Sequence, residues 1–427
     1  MSPSVYLFAT LDTKGAEADF VRQLLTSYGV PVTLVDAGAL GEAAVAADVT
    51  RDRIFTLAGS SLDEVRRRAD RGEAVTLAAQ GAARLARDAY ATGELGGVLG
   101  LGGSAGTSIA TAAMRVLPLG VPKVMLSTLT SGTVRQFVGD KDIFMLNAVA
   151  DIAGINRISR TVLSQAARAM AGLITLPAPV STAADKPIVA ATMFGVTTPC
   201  VERARAVLER AGYEVLVFHA TGSGGQAMES LVAEGLIDGV LDLTTTELAD
   251  EHVGGFLSAG PDRLTAAGAK GIPQVVSTGA ADMVNFYGPS SVPEKFKDRL
   301  FYRHNANVTL MRTTAAESAA IGAEIARKLA AASGPVAVLL PARGVSAIDR
   351  EGQPFDDPGA RRALHVAIKE GLAASLVTEL DLHINDPAFA DAAARCLIDM
   401  LQASRRQSQG KLPGSKNGDE MKRLAAR

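Results

Sequence analysis

Short apolar runs alternate with amphipathic stretches along almost the whole chain, which predicts strands and helices in turn. "VYLFAT" (5–10) reads as a buried strand, "KGAEADFVRQLLTSYG" (14–29) as a helix stopped by Gly29, and "VTLVDAG" (32–38) as the next strand. "GVLGLG" (97–102) and "KVMLST" (123–128) continue that series. A second series opens with "IVAATM" (188–193) and the helical "PCVERARAVLERAG" (199–212), then "EVLVF" (214–218), "GVLDLT" (239–244) and "QVVST" (274–278). It closes with the helix "TTAAESAAIGAEIARKLAAAS", the strands "VAVLLP" (336–341) and "SLVTELDL" (375–382), and a late helix over 386–401.

The two series correspond segment by segment. "LLTSYGVPVTLVDAG" mirrors "VLERAGYEVLVFHATG", "GELGGVLGLGGS" mirrors "GLIDGVLDLTTT", and "GVPKVMLSTLTSG" mirrors "GIPQVVSTGAADM". The first series carries an additional, largely helical insertion at 39–93. The pattern therefore predicts an α/β protein of two Rossmann-like domains with parallel sheets, the second a duplicate of the first. Pro177, Pro179 and Pro187 with small polar residues interrupt both periodicities. They set the expected domains at 1–180 and 181–401, followed by a basic, disordered tail at 402–427.

Composition narrows the class. The 43 basic and 45 acidic residues nearly cancel, so no global charge draws the chain to nucleic acid or to an anionic membrane. Cys200 and Cys396 stand alone, which leaves neither a disulfide framework nor a cysteine metal site. The N-terminus has no basic segment followed by a long apolar one, and no run reaches the ~18 apolar residues of a membrane span. The expectation is a soluble cytoplasmic protein.

Candidate chemistry starts at "GLGGSAGTSIA" (100–110), a glycine-rich stretch between a strand and a helix expected to begin near Thr107. Such turns let phosphate approach free backbone N–H groups. Gly100, Gly102 and Gly106 are spaced one residue wider than the dinucleotide fingerprint, and no P-loop lysine is present. No Asp or Glu occurs between Leu95 and Gly139, which removes the acid that would hold an NAD ribose. A tight turn serving only helix–strand packing is the other reading of the loop. Three strand ends of the first half are rich in hydroxyl, glycine or charged residues, and in a parallel sheet these gather at the carboxyl edge. Thr10, Asp12, Thr13 and Lys14 are thereby expected to join Gly102, Gly103, Ser104, Gly106, Thr107, Thr128, Ser131 and Gly132 around one ligand. Asp12 is alternatively a helix cap. In the second half "DLTTTE" replaces the glycines, so Asp242 and Glu247 argue against an equivalent phosphate site; "HATGSGGQ" (219–226) is either a second anion loop or a flexible turn.

"ATLDTKGAE", "GLGGSAGTSIATAAMRVLPLGVPKVMLSTLTSG", "DIAGINRISR", "LPARGVSAID" and "DLHINDPAFA" resemble the two-domain family named for the ATP-binding domain of the plant tobamovirus-resistance protein, from about residue 4 to about residue 400. The resemblance implies two Rossmann-like domains facing an interdomain cleft, ATP with or without Mg²⁺ on the first domain, and a homodimer or higher homo-oligomer. It assigns the nucleotide to Gly102, Gly103, Ser104, Gly106 and Thr107, with Thr13 and Lys14 alongside.

For catalysis the candidates are His304, Arg343 and His383, with Arg303 as a second anion-binding guanidinium. Structural hydrogen bonds and surface ion pairs are the competing roles. Two functions remain open on the sequence: a nucleotide-binding protein whose cleft engages a small molecule or protein partner, or a nucleotide-dependent enzyme acting on a small anionic or sugar-like metabolite. No transition-metal site is expected, because Asn385 and Asp386 before Pro387 read as a helix start.

Overall fold

The computed structural model describes residues 3–38, 41–130, 134–177 and 186–410. It divides into two compact units, Met1–Thr182 and Ala183–Arg427. Pro179 and the predicted boundary at 180 lie outside the described residues.

In the first unit β1 (Ser4–Ala9), α1 (Leu11–Ser27) and β2 (Val32–Asp36) are followed by the inserted helices α2 (Arg51–Leu57), α3 (Leu62–Arg68) and α4 (Arg71–Ala91). Then come β3 (Leu95–Gly102), α5 (Ser104–Arg115), β4 (Lys123–Ser127), α6 (Arg135–Val138), β5 (Phe144–Asn147) and α7 (Arg157–Thr175). The five strands are parallel in the order β2-β1-β3-β4-β5. Alternate residues of each strand enter opposite cores. Val5, Leu7, Leu99 and Leu126 meet α1 and α7 on one face, while Tyr6, Phe8, Val98 and Met125 meet α2, α4 and α5 on the other. Burial on both faces is why these strands read as unbroken apolar runs.

The second unit repeats the plan with β6 (Ile188–Met193), α8 (Thr198–Arg210), β7 (Glu214–His219), α9 (Ser223–Glu234), β8 (Gly239–Thr244), α10 (Thr246–Val253), α11 (Ala266–Lys270) and β9 (Gln274–Gly279). Next are β10 (Met283–Phe286), β11 (Phe301–Asn305), β12 (Val308–Arg312) and α12 (Ala315–Ala330). The unit ends with β13 (Val336–Pro341), α13 (Pro358–Gly371), β14 (Val377–Leu380) and α14 (Pro387–Gly410). Its parallel sheet runs β7-β6-β8-β9-β13-β14, the same order as the first unit with one strand added.

Four features differ from expectation. The strands β10, β11 and β12 form a separate antiparallel sheet, ordered β10-β12-β11, that the apolar pattern did not announce. α1 begins at Leu11 and has a non-helical residue at Lys14 (φ −129°, ψ 21°). α5 begins at Ser104, not near Thr107, because Gly106 serves close packing inside the helix: a Cβ there would stand 3.0 Å from Leu101 O. α14 extends past Leu401 to Gly410, and the Arg405 guanidinium lies 5.7 Å from the Tyr213 ring centroid, so the first residues of the expected tail are helical. No helix among the described residues is long and apolar enough to cross a membrane. Cys200 is buried, which pushes its thiol up to about 12, and Cys396 is half-buried.

Candidate functional site

In the first unit β1 lies between β2 and β3, so the chain changes direction across the sheet at the β1/β3 junction. At such a junction the two following connections diverge and leave a crevice at the carboxyl edge. The turn after β1 holds Thr10–Lys14 and the turn after β3 holds Gly102–Thr107. Gly102 has φ +156°, and an added Cβ would stand 2.9 Å from Gly106 Cα, so the turn closes tightly on its own helix. Gly103 is the N-cap, and among the described residues a Cβ there would meet only Thr128 Oγ1, at 3.5 Å. Thr107 N–H is the first to bond back along the helix, to Gly103 O at 2.8 Å. The N–H groups of Ser104, Ala105 and Gly106 before it have no hydrogen-bond partner among the described residues. No acidic residue occupies the first turn of α5, so its positive dipole end is uncompensated.

The structure thus brings together Gly102, Gly103, Ser104, Gly106, Thr107 and Thr128. Thr128 N–H donates to Gly102 O at 3.3 Å. Thr107 faces inward, sharing a 2.7 Å hydrogen bond with Ser127 Oγ, and so anchors the helix to β4. Thr10, Asp12 and Thr13 line a cavity of about 90 Å³ with Ala105 of α5. The Thr10 and Thr13 hydroxyls are 2.8 Å apart. Asp12 neither caps α1 nor stands clear: its carboxylate accepts Gly41 N–H at 3.1 Å and lies against Gly38. Lys14 is half-buried and is not among the lining residues. Ser131 and Gly132 lie outside the described residues. A larger cavity of about 700 Å³ runs between α4 and α5 and shares Val75 with the small one. Its walls include Ala79, Ala112, Val116 and Phe137, with Gln80 and Arg115 as polar groups.

Sequence reasoning missed two contributors. Arg71, the exposed first residue of α4, lines the small cavity opposite Ala105. Its signal was Asp70, whose side chain caps α4 by accepting Glu73 N–H; an acid before an amphipathic run marks a helix start. Asp36, at the end of β2, is buried. It accepts Leu11 and Gly38 N–H on one oxygen and Arg51 Nε at 2.7 Å on the other, which ties the β1 and β2 turns together. That pair spans fifteen residues of loop and has no local signature.

The equivalent junction of the second unit is closed by its own chain. Val196 O, after β6, accepts Ala347 N–H at 3.0 Å and Asn385 Nδ2 at 2.9 Å. The Gly222 and Gly225 amides are occupied too: Glu247 Oε1 accepts Gly222 N–H at 2.7 Å and Gly225 N–H at 3.0 Å, and its Oε2 accepts Arg263 Nε at 2.7 Å. All three partners are donors, so the carboxylate is ionised even though burial pushes its pKa up. Arg263 is fully buried and also pairs with Asp242 through two nitrogens, at 2.5 and 2.8 Å. Burial disfavours its charge, but Asp242, Glu247 and Glu229 outweigh that and hold the guanidinium well above its ordinary range. "HATGSGGQ" is therefore an anion loop whose anion is a side chain of the same unit.

Of the catalytic candidates, Arg343 and His383 lie on adjoining segments, Arg343 N–H donating to Leu382 O at 3.0 Å, while His304 stands apart on the antiparallel sheet. His304 is exposed on β11. Arg343 forms an exposed pair with Asp381, at 2.6 and 2.7 Å. His383 is buried and both ring nitrogens engage the backbone: Nδ1 accepts Asn385 N–H at 3.1 Å, so Nε2 carries the proton to Ser346 O at 2.8 Å. Burial lowers its pKa, which keeps this ring neutral. No group of three or more metal-ligating side chains occurs among the described residues.

These features define a class: a two-unit α/β protein with Rossmann-like parallel sheets, one bearing an open helix N-terminus at its strand-order reversal. Residues 3–179 match the N-terminal domain, and residues 186–401 the C-terminal domain, of the Uncharacterised protein family (UPF0261). The chain belongs to that family. It is 46% identical over 404 residues to a UPF0261 protein of Clostridium tetani, covering 94% of this chain and 100% of that one. It is 47% identical over 396 residues to UPF0261 protein mlr3387 of Mesorhizobium japonicum, covering 92% and 98%. The ToMV resistance protein Tm-1(GCR237) of Solanum lycopersicum is 41% identical over 426 residues, which span 95% of this chain and 56% of the tomato protein. Among solved structures, glycosyltransferase VinC in complex with DTDP matches with a TM-score of 0.18 and 11% identity over 93% of this chain and 100% of that one, a likeness too slight to bear on fold or function.

Proposed function

We propose that the first unit binds a nucleoside triphosphate, ATP by the family resemblance, with its phosphates on the first turn of α5. The observation that carries this reading is the trio of amides at Ser104, Ala105 and Gly106, unpartnered among the described residues and opening at the β1/β3 junction beside Arg71 and Thr13. Amides and a dipole end favour an anion, and the guanidinium adds charge-assisted, forked hydrogen bonding. Gly103 leaves the room a phosphate needs, since among the described residues only Thr128 stands near its missing Cβ. The nucleoside then lies along the groove between α4 and α5, where apolar walls accept a base and Gln80 and Arg115 offer polar contacts. Mg²⁺ would be held chiefly by phosphate oxygens and water, because Asp12 is the one carboxylate lining the small cavity among the described residues. The homodimer implied by the resemblance belongs to the same proposal, and sedimentation equilibrium with and without ATP reads it.

Titration calorimetry with ATP, pyrophosphate and adenosine tests the assignment. Pyrophosphate competes with ATP, adenosine binds much more weakly, and Arg71→Gln weakens ATP by about tenfold. Equal binding of adenosine and ATP would remove the phosphate site. Phosphate release is followed in the same samples, and sustained ADP formation would turn the binding protein into an enzyme.

A further inference from the structure

The antiparallel sheet of the second unit covers a cavity of about 400 Å³, within the range of small-molecule sites. Pro289, Val292, Pro293 and Phe301 form its apolar walls, and Thr309 and Arg303 its polar side. Arg303 on β11 is directly opposite Thr309 on β12, so both side chains leave the same face of the sheet, with Phe301 two residues along. Thr309 is 4% exposed, and its Oγ1 has no hydrogen-bond partner among the described residues. A buried hydroxyl without a partner is uncommon and disfavours folding unless something else satisfies it. Arg303 is exposed and its guanidinium likewise makes no hydrogen bond or ion pair among the described residues. At the rim Glu294 and Lys297 neutralise one another at 3.3 Å, so Arg303 supplies the net charge.

We infer that this cavity is a ligand site for a small apolar monocarboxylate, held by Arg303 and the Thr309 hydroxyl with its hydrocarbon part against Pro289, Val292, Pro293 and Phe301. A hydroxyl donor beside a guanidinium calls for a partner that only accepts hydrogen bonds and carries negative charge. One net positive charge matches one carboxylate. The apolar walls exclude a fully hydrated anion such as free phosphate.

The test uses the full chain without nucleotide, isovalerate as the probe and isopentanol as its uncharged counterpart, read by saturation-transfer NMR and calorimetry. Isovalerate binds and isopentanol binds at least about tenfold more weakly. Thr309→Val, which keeps the shape and removes the hydroxyl, weakens isovalerate about fivefold to tenfold without lowering the melting temperature, because no internal hydrogen bond is lost. Arg303→Gln, at an exposed position, weakens it at least about tenfold. No isovalerate binding to the parent protein, or equal binding to both folded variants, would overturn the inference. Neither result touches the nucleotide site, which lies on the other unit.

Discussion

Glu247→Ala is the perturbation that most sharply separates an internal anion site from an ordinary turn. The substitution removes the acceptor of Gly222 N–H, Gly225 N–H and Arg263 Nε in one step. Arg263 keeps its two bonds to Asp242, so its charge is not stranded, but the two amides lose their Glu247 acceptor at a buried position. Each orphaned buried amide costs about 1–3 kcal/mol, and the lost hydrogen bond to Arg263 adds to this. These overlap, because water entering the vacated space satisfies part of the loss, which places the net cost at about 4 kcal/mol. At about 2–4 °C per kcal/mol for a unit of this size, the melting transition falls on the order of 10 °C. Differential scanning fluorimetry reads this directly. Formate, a free carboxylate small enough for the space, should restore part of the loss in Glu247→Ala and do nothing for the parent at equal ionic strength. Gly225→Ala supplies an independent check, since its Cβ would fall 2.2 Å from Glu247 Oε2 and expel the carboxylate from the other side. A melting temperature within about 2 °C of the parent, or no response to formate, would refute the filled-nest account.

Two further outcomes follow from buried charges. Burial, then the neighbouring Asp349 charge, raise Asp282 to about 7 against the pull of Arg312 and the Ser346 hydroxyl. A carboxyl raised in the folded state stabilises fully below its unfolded pKa of about 3.9, and that contribution is lost as pH climbs to 7. Asp282→Asn, which still accepts from Ser346, should therefore melt with a smaller drop between pH 5 and pH 8 than the parent, and an identical pH profile would contradict this. Lys123, fully buried at the start of β4, donates to Pro118 O at 2.6 Å, Val121 O at 3.0 Å and Asp142 at 2.6 Å. Lys123→Met strands those acceptors and should lower stability by about 2–4 kcal/mol in urea unfolding, whereas an unchanged midpoint would mean water replaces the ammonium.

The parallel sheets were legible because both faces of every inner strand are buried, which writes the strands as runs such as "VYLFAT" and "GVLGLG". The antiparallel sheet was not. Its strand "FYRHN" has three exposed residues, and exposed edge strands carry no apolar signature. The glycine turn at 102–106 was visible from composition and from its place after a strand. The start of α5 was not, because glycine signals a turn and close packing alike, and Gly106 does the second. In the sequence Asp242 and Glu247 argue against an equivalent phosphate site, and in the structure both pair with Arg263. That Glu247 occupies the amides itself, paired with Arg263 sixteen residues on, depends on tertiary placement that no local pattern encodes. The Asp36–Arg51 pair escaped for the same reason, whereas Asp70 marked the helix start at Arg71 but not its place beside Ala105; His383 carries no local sign that both its ring nitrogens engage backbone groups.

The phosphate assignment is met most directly by calorimetric titration of ATP into Gly103→Asp. Aspartate is a favoured N-cap, and here it would turn its carboxylate onto the free α5 amides, recreating in the first unit what Glu247 does in the second. The account predicts a variant that melts no lower than the parent and binds ATP about 100-fold more weakly, a loss of about 3 kcal/mol. A folded Gly103→Asp protein with the parent's ATP affinity would place the triphosphate elsewhere.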